Sequence, residues 1–176
     1  MVALQLQDAL AEEIKNLTSH MRLKNPRGED VPLNVFKQNL PIVLRENKEI
    51  LPGDEELDED YQNQEEEAGK HFPYCIVKLD SGGSEDAESA HIIKTVLVVG
   101  LYDDSLEANG YRNILNIFED IRQRFRKNPI LNGQYQAEEK ISWALPDDDM
   151  ETNPYCFGAM YMEWITAEIR REDPLA

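Results

Sequence analysis

Carboxylates dominate any chemistry this chain could perform: 35 Asp and Glu stand against 18 Lys and Arg, a formal net charge of −17. Calcium binding is therefore the first chemistry to test. Asp147, Asp149 and Glu151 occupy the first, third and fifth positions of a calcium loop, but Thr152 stands where that loop needs glycine and Gly158 where it needs a bidentate glutamate. A loop begun at Asp54 fails too, with Glu59 at the glycine position. These runs read as solvated acidic loops. His20, His71 and His91 are scattered, and His71 with Cys75 has no third group to orient the two as a nucleophilic pair. Cys75 and Cys156 lack a second cysteine at metal-ligand spacing and read as buried reduced thiols of an intracellular protein. No G-x-S-x-G elbow, Walker A loop or G-x-G-x-x-G occurs, and Gly82-Gly83 has no following helix to hold a phosphate. Nothing selects a pair of carboxylates for acid–base work. The expectation is a protein that is not an enzyme, with no catalytic residue, no cofactor and no metal.

The elements that would position any site follow from hydrophobic spacing. His91–Leu101 carries the β-branched run Val96–Val99 and reads as a strand. After the turn residues Gly100–Ser105, the residues Tyr111, Ile114, Leu115, Phe118, Ile121 and Phe125 recur at three- and four-residue steps, the stripe of one amphipathic helix. Asp104 and Glu107 have capping-box spacing at its start, and Arg122, Arg124, Arg126 and Lys127 suit the dipole at its end. A first helix spans residues 1–23 on Leu6, Leu10, Ile14, Leu17 and Met21, stopped by Asn25-Pro26-Arg27-Gly28.

Leu33–Gln38, between Pro32 and Pro41, reads as an edge strand. Phe72–Leu79 is a strand antiparallel to 91–101, joined to it by the flexible polar Asp80–Ala90. A short strand surrounds Trp143 within Lys140–Leu145, and Tyr155–Arg170 is a last strand, apolar on both sides and so central or covered on both faces. Asp54–Glu67 holds nine carboxylates in 14 residues and no cation, so 46–70 is expected to be a mobile acidic loop. The sum is one α+β domain over 1–176: a mostly antiparallel sheet of about four to five strands with two main helices packed on it.

Charge and hydropathy limit the partners. So acidic a chain is not a general binder of nucleic acid or of anionic membranes, because phosphate contacts need clustered cations. No apolar stretch approaches the length that spans a bilayer, and no basic segment leads into an apolar run at the N-terminus, so a soluble intracellular protein is expected. The two helices and the last strand carry more apolar face than one small sheet obviously covers, which points either to an oligomer or assembly interface or to a well-filled monomer core.

Several segments carry a resemblance. Val35-Phe36-Lys-Gln-Asn-Leu40-Pro41, Phe72-Pro73-Tyr74-Cys-Ile76-Val77 and Gly100-Leu-Tyr102-Asp103 are followed by Gly110-Tyr111-Arg112-Asn-Ile-Leu-Asn, Ile141-Ser-Trp143 and Pro154-Tyr155-Cys-Phe157-Gly158-Ala-Met160. Together, over roughly residues 33–170, they resemble the small tail-assembly proteins of tailed bacteriophages and prophages of Gram-positive bacteria, in particular the tail terminator (tail completion) group. The resemblance implies a structural subunit in the virion tail, present in the host cytoplasm during assembly. It implies a homo-oligomeric ring, typically a hexamer, that caps the tail tube, ends tube growth and joins tail to head. Its implied partners are itself, the tail tube protein and a head-completion or connector protein. Acidic walls would let DNA pass the lumen without sticking. Arg112, Arg122 and Arg126 are the candidates for meeting an acidic loop of the next subunit. The alternatives are a head–tail connector or neck protein, a metal-dependent enzyme with an acidic pocket, and an acidic mimic of DNA.

Overall fold

The computed structural model describes residues 2–41, 69–85, 89–107, 109–146 and 153–166. The expected acidic loop falls almost wholly outside these ranges, as do the Asp147–Thr152 positions tested for calcium. The first helix, α1 (Val2–Leu17), buries Leu6, Leu10 and Ile14, the predicted stripe. It ends before the predicted Asn-Pro-Arg-Gly stop, because Thr18 returns both its amide (3.0 Å) and its hydroxyl (2.8 Å) to the carbonyl of Ile14 and the chain tightens after Asn16. Asn25–Gly28 instead turns a two-stranded hairpin, β1 (Leu23–Lys24) with β2 (Asp30–Val31). The Asn25 side-chain oxygen accepts the amides of Arg27 and Glu29, and Gly28 takes a φ of 79°.

The main sheet has seven strands, more than the four to five expected. It comprises β3 (Asn34–Lys37), β4 (Tyr74–Gly83), β5 (His91–Tyr102), β6 (Ile130–Leu131), β7 (Tyr135–Ala137), β8 (Ser142–Ala144) and β9 (Tyr155–Thr166). Their order is β3-β4-β5-β9-β7-β6, with β8 also on β9. β3 is an edge strand, as its prolines require, and it runs parallel to β4; every other pairing in the sheet is antiparallel. β4 continues through Asp80–Gly83, text expected to be a flexible connection, with an irregularity between Leu79 and Ser81. β6 and β7 were not foreseen. They join at Asn132-Gly133, where both residues take positive φ (52° and 69°), the Asn-Gly hairpin signal.

β5 and β9 form the spine, paired from His91–Thr166 to Tyr102–Tyr155. Alternation along them sends Ile93, Thr95, Leu97, Val99 and Leu101, with Met160, Met162 and Trp164, to one face. Both helices cover that face: α1 lies over β3 and β4, and the second helix, α2 (Gly110–Lys127), lies over β5 and β9. The Trp164 indole N–H donates to Thr95 Oγ1 at 2.9 Å, which lets the tryptophan be fully buried. β9 is therefore central, but no described helix covers its opposite side: Phe157 and Ala159 are half-buried and Tyr161 is 46% exposed.

The second helix begins at Gly110, not at Asp104. β5 runs on to Tyr102, and the Asp103 carboxylate accepts the Ser105 amide at 3.0 Å in a local turn, so no capping box forms. A side chain at position 110 would stand 2.6 Å from Cys156 Sγ, so the helix enters through glycine. Ile114, Ile117, Phe118, Ile121 and Phe125 face the core, while Tyr111 is 37% exposed and Leu115 half-buried. Among the described residues no helix is long and apolar enough to cross a membrane.

Candidate functional site

Two surfaces stand out. The first lies on the sheet face away from the helices. Parallel pairing aligns Phe36 of β3 with Ile76 of β4, and antiparallel pairing aligns Ile76 with Val98 and Tyr74 with Gly100 of β5. Leu40, Phe72, Tyr102, Tyr155 and Phe157 join them in one cluster. Phe72 is its hub, with ring centroids 4.8 Å from Tyr74, 4.6 Å from Tyr155 and 6.0 Å from Phe157; tilted and edge-on pairs of this kind contribute about 0.5–1.5 kcal/mol each. Gly100 is needed there, since a Cβ would stand 2.4 Å from the Tyr74 ring. Burial pushes the Tyr74 phenol up, and Tyr102 is raised by burial and then by the charges of Asp104 and Tyr155. Farther along the same face Tyr161, paired with Ser142 of β8, is 46% exposed, whereas Trp143, paired with the core residue Met160, is 50% exposed on the opposite, helix-side face. A shallow groove of about 150 Å³ on the Tyr161 side is lined by Asp80, Lys94, Lys140, Ser142, Tyr161 and Glu163, and its charges offset each other, with Lys94 Nζ 3.6 Å from Glu163.

The second surface is the outward side of α2. Arg112, Arg122 and Arg126 all project within about 80° of arc on that side. Arg112, however, sits at the opposite end of the helix from the other two. Arg122 folds back onto Glu119, Nε to Oε2 at 2.9 Å, and this bond, with one from Gln123, holds the Glu119 carboxyl below its ordinary range. Arg126 is exposed. Arg124, grouped with these cations by sequence, is committed elsewhere. It pairs with Glu13 of α1, and its other nitrogens reach the carbonyl oxygens of Asn128 (2.5 Å) and Ile130 (3.5 Å), so it ties the two helices and closes the C-terminal end of α2. Helical periodicity alone cannot separate Arg124 from Arg122 and Arg126, because the difference is made by Glu13, 111 residues away.

The weighed Cys/His pair is separated. Cys75 lies in the helix-side core, its thiol pushed up to about 12 by burial, whereas His71 packs edge-on against Phe36 of the outer cluster, ring centroids 5.5 Å apart. His20 is exposed, and His91 meets Ser84 at 3.4 Å. Among the described residues no three His, Cys, Asp or Glu side chains converge as a metal site. Sequence reasoning also passed over Leu106. Its signal was legible, as an isolated leucine between Asp104 and Glu107 that falls off the helical stripe, and it is fully exposed. What these surfaces offer chemically is recognition: an aromatic face, an exposed tryptophan and a helix face of alternating charge. Comparison with protein families and with curated proteins finds no match to this chain.

Proposed function

We propose that the chain is a structural protein of a bacteriophage tail, a subunit that assembles with copies of itself into a ring capping the tail tube, ends tube growth and joins tail to head. One observation carries the reading. Four of the six segments behind the resemblance, scattered from Phe36 to Phe157 in sequence, meet in a single aromatic cluster on the sheet face away from the helices, with Gly100 making room for Tyr74. Segments that share no chemistry have a common purpose if they build one shaped surface. An exposed Tyr161 on that face, and an exposed Trp143 on the other face of β8, suit protein docking, where aromatic anchors supply much of the binding energy.

The test is capture by unfinished tail tubes made from the tube protein of the same phage. The wild-type chain is expected to sit at one end of each tube as an annular cap and to stop its elongation. Trp143→Ser, which changes an exposed position, is expected to weaken capture about tenfold or more while leaving thermal unfolding within a few degrees of wild type. Tubes that keep growing in the presence of excess protein, with none bound, would overturn the proposal. Binding to the head connector but not to the tube would move the chain to the neck.

A further inference from the structure

No described element packs on the outward side of α2, and the segments at its two ends carry opposite charge. Ahead of the helix, Asp103, Asp104 and Glu107 surround the fully exposed Leu106, and the turn that presents them is held by the bond from the Ser105 amide to Asp103 and by Asn109 Nδ2 donating to Glu107 at 2.9 Å. At the far end stand Arg122, Arg126 and Lys127; among the described residues Arg126 and Lys127 make no ion pair, and Arg124 is turned away toward Glu13. Eighteen residues of helix put the ends about 27 Å apart, several times the screening length of about 8 Å at physiological ionic strength. The two ends therefore cannot neutralise each other within one chain, and each acts as an independent patch despite the net charge of −17.

We propose that α2 is a self-assembly element, in which the loop Asp103–Glu107 of one copy docks on the Arg122, Arg126 and Lys127 end of α2 in a second copy. Exposed ion pairs contribute little singly, so the charges set partner and register while Leu106 supplies the apolar centre that loses water on contact. The occupant is a second copy because both halves of the complementary pair are on this chain. Unlike surfaces meet, so each copy keeps one loop and one basic end for further neighbours, and addition continues head to tail until a ring closes. Only the number of copies rests on the tail-ring reading.

Zero-length carbodiimide coupling of the full-length chain tests the contact, because it joins a carboxylate to a lysine amine only at touching distance. The expected product links Asp104 or Glu107 to Lys127, and mixing isotopically light and heavy protein is expected to show that it joins two chains. Arg122→Glu with Arg126→Glu should weaken self-association about a hundredfold, as should Asp104→Lys with Glu107→Lys, and mixing the two variants should restore pairing. Leu106→Ser should weaken it about tenfold with no change of charge. All these positions are on the surface, so unchanged thermal unfolding is the control. A wild-type chain that stays monomeric to millimolar concentration without the cross-link would overturn the contact, as would association that survives charge reversal. A chain that cross-links in this way but stops at a dimer, or ignores tail tubes, keeps the contact and removes the tail reading; one that caps tubes with its α2 charges reversed does the opposite.

Discussion

At the scale of single residues, Gly100 and Tyr74 make the clearest claim. Overpacking a filled site costs about 1–3 kcal/mol, and a methyl at position 100 would meet an aromatic ring instead of a flexible chain end. Gly100→Ala is expected to lower the unfolding free energy by at least about 1 kcal/mol, read from urea titration. The same substitution in a Tyr74→Ala background should cost far less, with a coupling of about 1 kcal/mol or more. Additive losses would mean that the ring is not what excludes the side chain. Cys75 gives a pH prediction. Its thiol is raised from 9.0 to about 12, so above pH 9 the unfolded chain releases a proton that the folded chain keeps. Stability then falls as pH rises, by up to about 1.4 kcal/mol per unit from this group. Tyr74 and Tyr135 are raised by burial in the same direction, so the readout is the difference in slope between wild type and Cys75→Val from pH 8.5 to 10. Equal slopes would reject the assignment.

At the scale of elements, the parallel edge is finished by a side chain. β3 ends at Lys37, and Gln38 takes a φ of 65° that ends regular extension. Its side-chain amide then does what a further strand residue would do: Oε1 accepts the Leu79 amide at 2.9 Å, and Nε2 donates to the Leu79 carbonyl at 3.3 Å. Gln7 of α1, buried, donates to Gln38 Oε1 at 3.2 Å and to the Val77 carbonyl at 2.8 Å, tying helix to edge. Gln38→Ala should therefore speed hydrogen exchange of the Leu79 amide about tenfold, the value of roughly one net hydrogen bond, and leave the β5–β9 ladder protected. Protection unchanged at Leu79 would show that water or a neighbour replaces the amide without loss.

At the scale of the whole molecule, the architecture of the described residues is one-sided. Two helices lie on one face of the sheet, and the other face carries aromatic residues and a mixed-charge groove. The tube-capture and charge-reversal outcomes belong here, because they read the mass and geometry of an assembly and not the stability of a fold. The acidic balance acts at this scale as well: a net charge of −17 disfavours non-specific association of copies.

The sequence by itself determined the α+β class, both helix stripes, the edge character of β3, the antiparallel pairing of β4 with β5 and the central position of β9. Each depends on spacing along the chain: 3.6-residue and two-residue periods, and prolines that cannot donate to a ladder. The Asn132-Gly133 hairpin was equally local, and an account by hydrophobic runs alone passed it over because its strands are two and three residues long. Only the tertiary structure decided the rest. The start of α2 depends on Cys156 lying against Gly110, the role of Arg124 on Glu13, the separation of Cys75 from His71 on which face of the sheet each meets, and the aromatic cluster on strands from four parts of the chain. These are contacts between residues far apart in sequence. Periodicity tells which side of an element is apolar, but it carries no information about which other side that face will meet.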